Sequence, residues 1–151
     1  EPEFLDVEQA FAFDFKQKDS TLTLTFAIAD GYYLYKKQFK YVAKDAAIGE
    51  AIYPKGVIIE DEFYGKSEVF YNSVSITLPL EEASSDGVVK VRYQGCADAG
   101  LCYPPTVKVV YLNEIVSGGK VSAQNGVLAP ESEQFSLANK LINKEAKITS
   151  I

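Results

Sequence analysis

Cys96 and Cys102 are the only cysteines in a chain of 151 residues, and they lie within Gln94-Gly95-Cys96-Ala97-Asp98-Ala99-Gly100-Leu101-Cys102-Tyr103-Pro104-Pro105. Two thiols at this spacing can close a local disulfide and can exchange it with an outside thiol. As a staple the bridge is poorly placed: a loop of about seven residues contributes roughly 2 to 2.5 kcal/mol, about half the value for a 100-residue loop. Spacing alone leaves two readings open, a structural bridge and a reactive pair. Gly95 and Gly100 permit positive φ, and Pro104-Pro105 fixes an extended exit, so the pair is expected in a shaped, mostly exposed turn. The only charge inside the loop is Asp98, so no neighbouring cation activates a thiolate there.

A second dense segment is Glu60-Asp61-Glu62-Phe63-Tyr64-Gly65-Lys66-Ser67-Glu68. It has a bland reading, a solvated acidic turn, and a functional one. In the functional one Asp61 or Glu62 exchanges protons with a cysteine while Phe63 and Tyr64 cover it from solvent. A glycosidase reading has little support, because adjacent carboxylates rarely converge on one bond from opposite sides. The sequence contains no histidine, which excludes Ser-His-Asp and Cys-His catalysis and His-ligated metals. Two cysteines cannot complete a four-thiolate zinc site, so no cofactor is expected and the chemistry rests on thiols, carboxylates or tyrosines.

The elements that must position these groups read as strands. Leu22, Leu24, Phe26 and Ile28 alternate with Thr21, Thr23, Thr25 and Ala27, the period of a half-buried strand. Phe11, Phe13 and Phe15 alternate before it, and Lys18-Asp19-Ser20 makes the polar turn of a hairpin. Asp30-Gly31 introduces Tyr32-Tyr33-Leu34-Tyr35, followed by Phe39 to Val42. Further strands are predicted at Val57 to Glu60, Glu68 to Tyr71, Val74 to Leu80, Val88 to Tyr93 and Val107 to Leu112, with Ser84-Ser85-Asp86-Gly87 as one of the intervening turns. So many short strands with few helical patterns predict an all-β sandwich with the cysteine loop at one end.

One core suffices for this length at 47% hydrophobic content. A net charge of −6 without a basic stretch argues against a nucleic-acid partner. No apolar run reaches the roughly 18 to 20 residues that span a bilayer. A chain without methionine that starts at Glu1 is expected to be a processed piece. Composition turns polar after Val116, which predicts a domain over 1–116 and a linker over 117–151; Phe135, Ala138, Leu141 and Ile142 predict a short amphipathic helix at 131–146 within it.

The cysteine segment, Asp61-Glu62-Phe63-Tyr64-Gly65-Lys66-Ser67-Glu68 and Asp30-Gly31-Tyr32-Tyr33-Leu34-Tyr35 together resemble the amino-terminal periplasmic domains of DsbD, the bacterial thiol:disulfide interchange protein. Three motifs in family order cover residues from about 10 to 115. The resemblance implies an immunoglobulin-like sandwich whose Cys96 and Cys102 cycle between disulfide and dithiol. It implies that Cys102 forms the mixed disulfide and Cys96 resolves it. Asp61, Glu62, Phe63, Tyr64 and Gly65 match the cap loop, with Phe63 as the shield; Asp61, Glu62, Tyr33 and Tyr35 match residues around the site. The implied electron donor is a thioredoxin-like carboxy-terminal domain of the same protein. The implied acceptors are periplasmic disulfide isomerases and a cytochrome c maturation thioredoxin. The domain would be a monomer held at the bacterial inner membrane only through its parent protein. The competing reading is a non-catalytic immunoglobulin-like binding module with a structural disulfide.

Overall fold

The structure, a computed structural model, describes residues 3–116 and 120–121. A single helical turn, α1 (Val7–Ala10), is capped by Asp6, whose carboxylate accepts from the Gln9 N–H at 3.0 Å. The strands follow in order: β1 (Phe11–Lys18), β2 (Thr21–Ile28), β3 (Tyr32–Tyr35), β4 (Lys40–Ile48), β5 (Val57–Asp61), β6 (Gly65–Phe70), β7 (Ser73–Tyr93), β8 (Gly95–Ala97), β9 (Leu101–Cys102), β10 (Thr106–Tyr111), β11 (Ile115–Val116) and β12 (Lys120–Val121).

Every pairing between them is antiparallel. The larger sheet is built around β7, which pairs with β2, β4, β10 and β11, while β1 and β12 extend it. The smaller sheet runs β5-β6-β3-β8-β9. Leu22, Leu24, Phe26, Ile76, Leu78 and Val91 from the first sheet and Leu34 and Phe70 from the second share one buried core. Full burial of side chains of this size is worth about 1.5 to 3 kcal/mol each, so the alternation in β2 is enough to commit it to this face. The expected immunoglobulin-like β-sandwich is therefore the fold observed.

The predicted β1–β2 hairpin forms, with Phe11 opposite Ile28 and Lys18 opposite Thr21. Asp19 turns the chain at φ 53°, a left-handed conformation that Asp tolerates. Residues 74–93 differ from expectation: the two strands are one, and Ser84-Ser85-Asp86-Gly87 lies inside it. Core-facing positions run Val74, Ile76, Leu78, Leu80 and then change phase to Ala83, Val89, Val91, Tyr93. The partner register jumps at the same place, from Ala46 opposite Ala83 to Lys44 opposite Val88. The turn-forming residues make a bulge, which re-aims the strand without ending it. The expected linker over 117–151 and helix at 131–146 lie outside the described residues, apart from Lys120–Val121, which pairs with β11.

Candidate functional site

β3 is buried on both faces. Tyr32 and Leu34 enter the main core, and the alternation of a strand turns Tyr33 and Tyr35 to the opposite side. There they pack with Val69 and Cys96, flanked by Ile59, Tyr71 and Cys102. Tyr33 stands directly opposite Cys96 in the β3–β8 ladder, and Cys96 stands opposite Cys102 in the β8–β9 ladder. The two cysteines form a disulfide with Cα atoms 4.0 Å apart.

The expected exposed turn is thus a two-strand hairpin, and its cysteines differ. β8 has a strand on each side, and Cys96 is fully buried; β9 is the edge of the sheet, and Cys102 is half-buried. The glycines also divide their roles. Gly100 turns the hairpin at φ 111°. Gly95 is needed for space: a Cβ there would lie 2.3 Å from the Tyr33 carbonyl oxygen and 2.5 Å from the Phe11 ring.

Asp61 and Gly65 close the β5–β6 hairpin, and Glu62, Phe63 and Tyr64 form its tip, with Gly65 at φ 70°. One Asp61 oxygen, Oδ1, accepts from the N–H groups of Phe63 (3.1 Å) and Tyr64 (2.8 Å). The other, Oδ2, accepts from the hydroxyls of Tyr33 (2.6 Å) and Tyr35. The Tyr35 oxygen lies 3.2 Å from Sγ of Cys96 and 4.0 Å from Sγ of Cys102. Tyr35 therefore connects the carboxylate to the sulfurs. Burial pushes the Asp61 carboxyl up, but the hydrogen bonds from Tyr33, Tyr35, Tyr64 and Phe63 outweigh it and leave its pKa lowered. Burial, then the bond to Asp61, raises Tyr33 and Tyr35, so both remain neutral donors.

The structure brings Tyr33, Tyr35, Asp61, Cys96 and Cys102 into one connected cluster. Tyr64 joins it through its ring, 4.8 Å from that of Tyr35. Phe63 is 42% exposed and lines an open groove of about 500 Å³ with Tyr33, Asp61, Tyr71, Asp98 and Gly100. Glu62 is exposed in the same rim and makes no side-chain hydrogen bond or ion pair among the described residues. Sequence reasoning missed Tyr71, whose hydroxyl donates to Asp98 at 3.2 Å, and Val69. Val69 of β6 and Tyr71, one residue past its end, share the Tyr33 face, a signal readable only once the pairing of β6 with β3 is known. It also gave no role to Gln94 or Tyr103, which join the cap loop to the cysteine hairpin through side-chain hydrogen bonds.

Residues 1–114 match the family model described as "Thiol:disulfide interchange protein DsbD, N-terminal". The DsbD protein of Pseudoalteromonas atlantica is 48% identical over 98% of this chain, and that of Escherichia coli K12 is 46% identical over 87% of it. These matches cover 26% and 23% of the two relatives, so the chain spans about a quarter of their length. The reduced N-terminal domain of Neisseria meningitidis DsbD superposes with a TM-score of 0.67 at 31% identity, over 76% of this chain and 90% of that one. The same Neisseria domain, in its complex with the PilB N-terminal domain, gives 0.63 at 30% identity, over 82% and 96% of the two chains.

Proposed function

We infer the function from one premise: the chain belongs to the family of N-terminal domains of the thiol:disulfide interchange protein DsbD. Its Cys96–Cys102 pair carries out thiol-disulfide exchange, receiving electrons from a thioredoxin-like carboxy-terminal domain of the same protein and passing them to oxidised partner proteins. The observation that carries this reading is the unequal burial of the two sulfurs. A donor thiolate attacks Sγ of Cys102 at the sheet edge, the S–S bond breaks, and Cys96 leaves as a thiolate that takes up a proton. The donor's second thiolate then attacks the donor's first sulfur in the mixed disulfide and releases Cys102 as a thiolate that takes up a second proton. Two electrons and two protons have entered the domain. In the outward half-reaction the Cys102 thiolate attacks the acceptor's disulfide, and Cys96 displaces the acceptor from Cys102.

Asp61, Tyr33 and Tyr35 set the environment of this exchange. A charged Asp61, held ionised by its donors, disfavours a second negative charge on the nearby thiols and keeps them protonated between encounters. Glu62 adds to the negative rim. Residues 61–65 act as the cap loop that must move for a partner sulfur to reach Cys102, with Phe63 shielding from the groove side and Tyr64 from the Tyr35 side. Disulfide isomerases and a cytochrome c maturation thioredoxin are the proposed acceptors, and the Neisseria complex with PilB supports docking of a second protein by this kind of domain. We place residues 1–116 as the redox domain and 117–151 as the linker, in a periplasmic segment of a bacterial inner-membrane protein. No helix among the described residues is long and apolar enough to cross a membrane.

The test is the equilibrium reduction potential of Cys96–Cys102, read by thiol alkylation in graded glutathione or dithiothreitol. A value between about −270 and −180 mV places the pair on an electron-transfer path; one far below about −300 mV makes it a structural bridge and returns the binding-module reading.

A further inference from the structure

Gln94 is the single residue between β7 and β8, and its main-chain carbonyl accepts from the Tyr35 N–H at 3.1 Å. Its side chain has two partners. Nε2 donates to the carbonyl of Tyr103 at 3.0 Å, and Oε1 accepts from the hydroxyl of Tyr64 at 3.2 Å. A peptide carbonyl can only accept, so Tyr103 fixes which end of the amide carries nitrogen and leaves the oxygen for Tyr64. Tyr103 follows Cys102 directly, and Tyr64 is the cap-loop residue whose ring rests on Tyr35.

We propose that Gln94 is a positioning residue that latches the cap loop to the Cys102 segment, so that displacement of that segment during exchange frees Tyr64 and opens the cap. The proposal deepens the thiol-exchange reading and rests on it. Asp61 fixes the main chain of the loop through the Phe63 and Tyr64 N–H groups, whereas Gln94 fixes a side chain at its tip, that of Tyr64. The tip bond lies at an exposed position between neutral groups, which makes it the weaker of the two attachments and the one that can break without moving a charge. Its partner on the other side is not the sulfur but the main chain one residue beyond it. A shift of the β9 edge strand therefore pulls on the amide before any atom of the cap is touched.

The experiment is the rate of disulfide reduction by tris(2-carboxyethyl)phosphine, which needs no thiolate and works across a wide pH range, for wild type, Gln94→Ala, Tyr64→Phe and the double variant. Each single variant is expected to be reduced about fivefold faster, the population shift one net hydrogen bond supports. The double variant is expected to be no faster than either single one, because both remove the same bond. Gln94→Glu adds a readout that a merely structural role would not move. Ionised, it opposes the Tyr103 carbonyl and is reduced faster than wild type; protonated, it donates as the amide does, so the ratio returns toward one between pH 7 and pH 4. Wild-type rates in Gln94→Ala, or a double variant about 25-fold faster, the product of two independent effects, overturn the latch. Tyr64→Phe removes only an exposed hydroxyl and tests the same bond if Gln94→Ala does not fold. Failure of the exchange reading is separate: it appears in the wild-type potential, not in these ratios.

Discussion

The Tyr35 hydroxyl oxygen lies 3.2 Å from Sγ of Cys96, and its proton is committed to Asp61. The buried sulfur thus faces a lone pair. A Cys96 thiol formed on reduction finds an acceptor already in place, whereas a thiolate there would need the tyrosine proton turned back from the carboxylate. The arrangement favours the protonated thiol in the resting reduced domain.

Asp61→Asn tests the role of the charge. The amide keeps one oxygen acceptor but removes the negative charge, so the Cys102 thiol of the reduced domain is expected to titrate lower than in the wild type. Alkylation rate against pH reads it, and an unchanged midpoint would remove Asp61 from the control of the thiols.

Gly95→Ala is expected to be among the most damaging single substitutions. The added methyl would meet the Tyr33 carbonyl and the Phe11 ring, neither of which can yield without opening the β3–β8 ladder or the core. A loss of about 3 kcal/mol or more is expected in urea denaturation. Gly100→Ala meets no atom within 4 Å, and its cost comes from the positive φ alone, about 1 to 2 kcal/mol.

Raising the pH should unfold the domain from about pH 10 upward. Burial raises the tyrosine pKa at Tyr33, Tyr35, Tyr41 and Tyr71, and pushes Tyr93 and Tyr103 up to about 12. Below the unfolded value both states are neutral and the full stability is present. Above it only the unfolded chain ionises, so stability falls until each folded value is passed. Absorbance at 295 nm should show the last of the ten tyrosines ionising together with loss of the far-ultraviolet strand signal; complete tyrosine ionisation near pH 10 with the fold intact would contradict the burial described.

Tyr93→Phe is expected to be neutral or to stabilise by up to about 1 kcal/mol, in contrast to most core substitutions. The Tyr93 ring packs 4.8 Å from Phe26, but its buried hydroxyl has no hydrogen-bond partner among the described residues. Phenylalanine keeps the ring and removes the unpaired group. A loss of more than 1 kcal/mol in thermal or urea unfolding would reveal a role for that oxygen.

The strands were legible where one periodicity held. β2 alternates cleanly and its bounds, Thr21–Ile28, follow from that alternation, whereas β7 changes phase at its bulge, so its sequence has the pattern of two strands around a turn. The chemical residues were legible by type, and Cys96, Cys102, Asp61, Tyr33 and Tyr35 do meet. Their geometry was not legible, because it depends on the pairing of β3 with β6 and β8, which joins segments some distance apart in sequence. The unequal burial of the cysteines has the same origin. Nothing in the local residues says that β8 will lie inside the sheet and β9 at its edge.

β3 is a party wall. Leu34 packs in the interior of the sandwich and Tyr35, the next residue, packs beside the sulfurs, with four residues of strand shared between the two rooms. Any substitution that fattens or thins the packing around Leu34 must displace the tyrosine hydroxyls by the same movement. On the proposed function, the interior of this domain is therefore not free to repack, because the groups proposed to tune the reaction are hung on the other side of the same backbone.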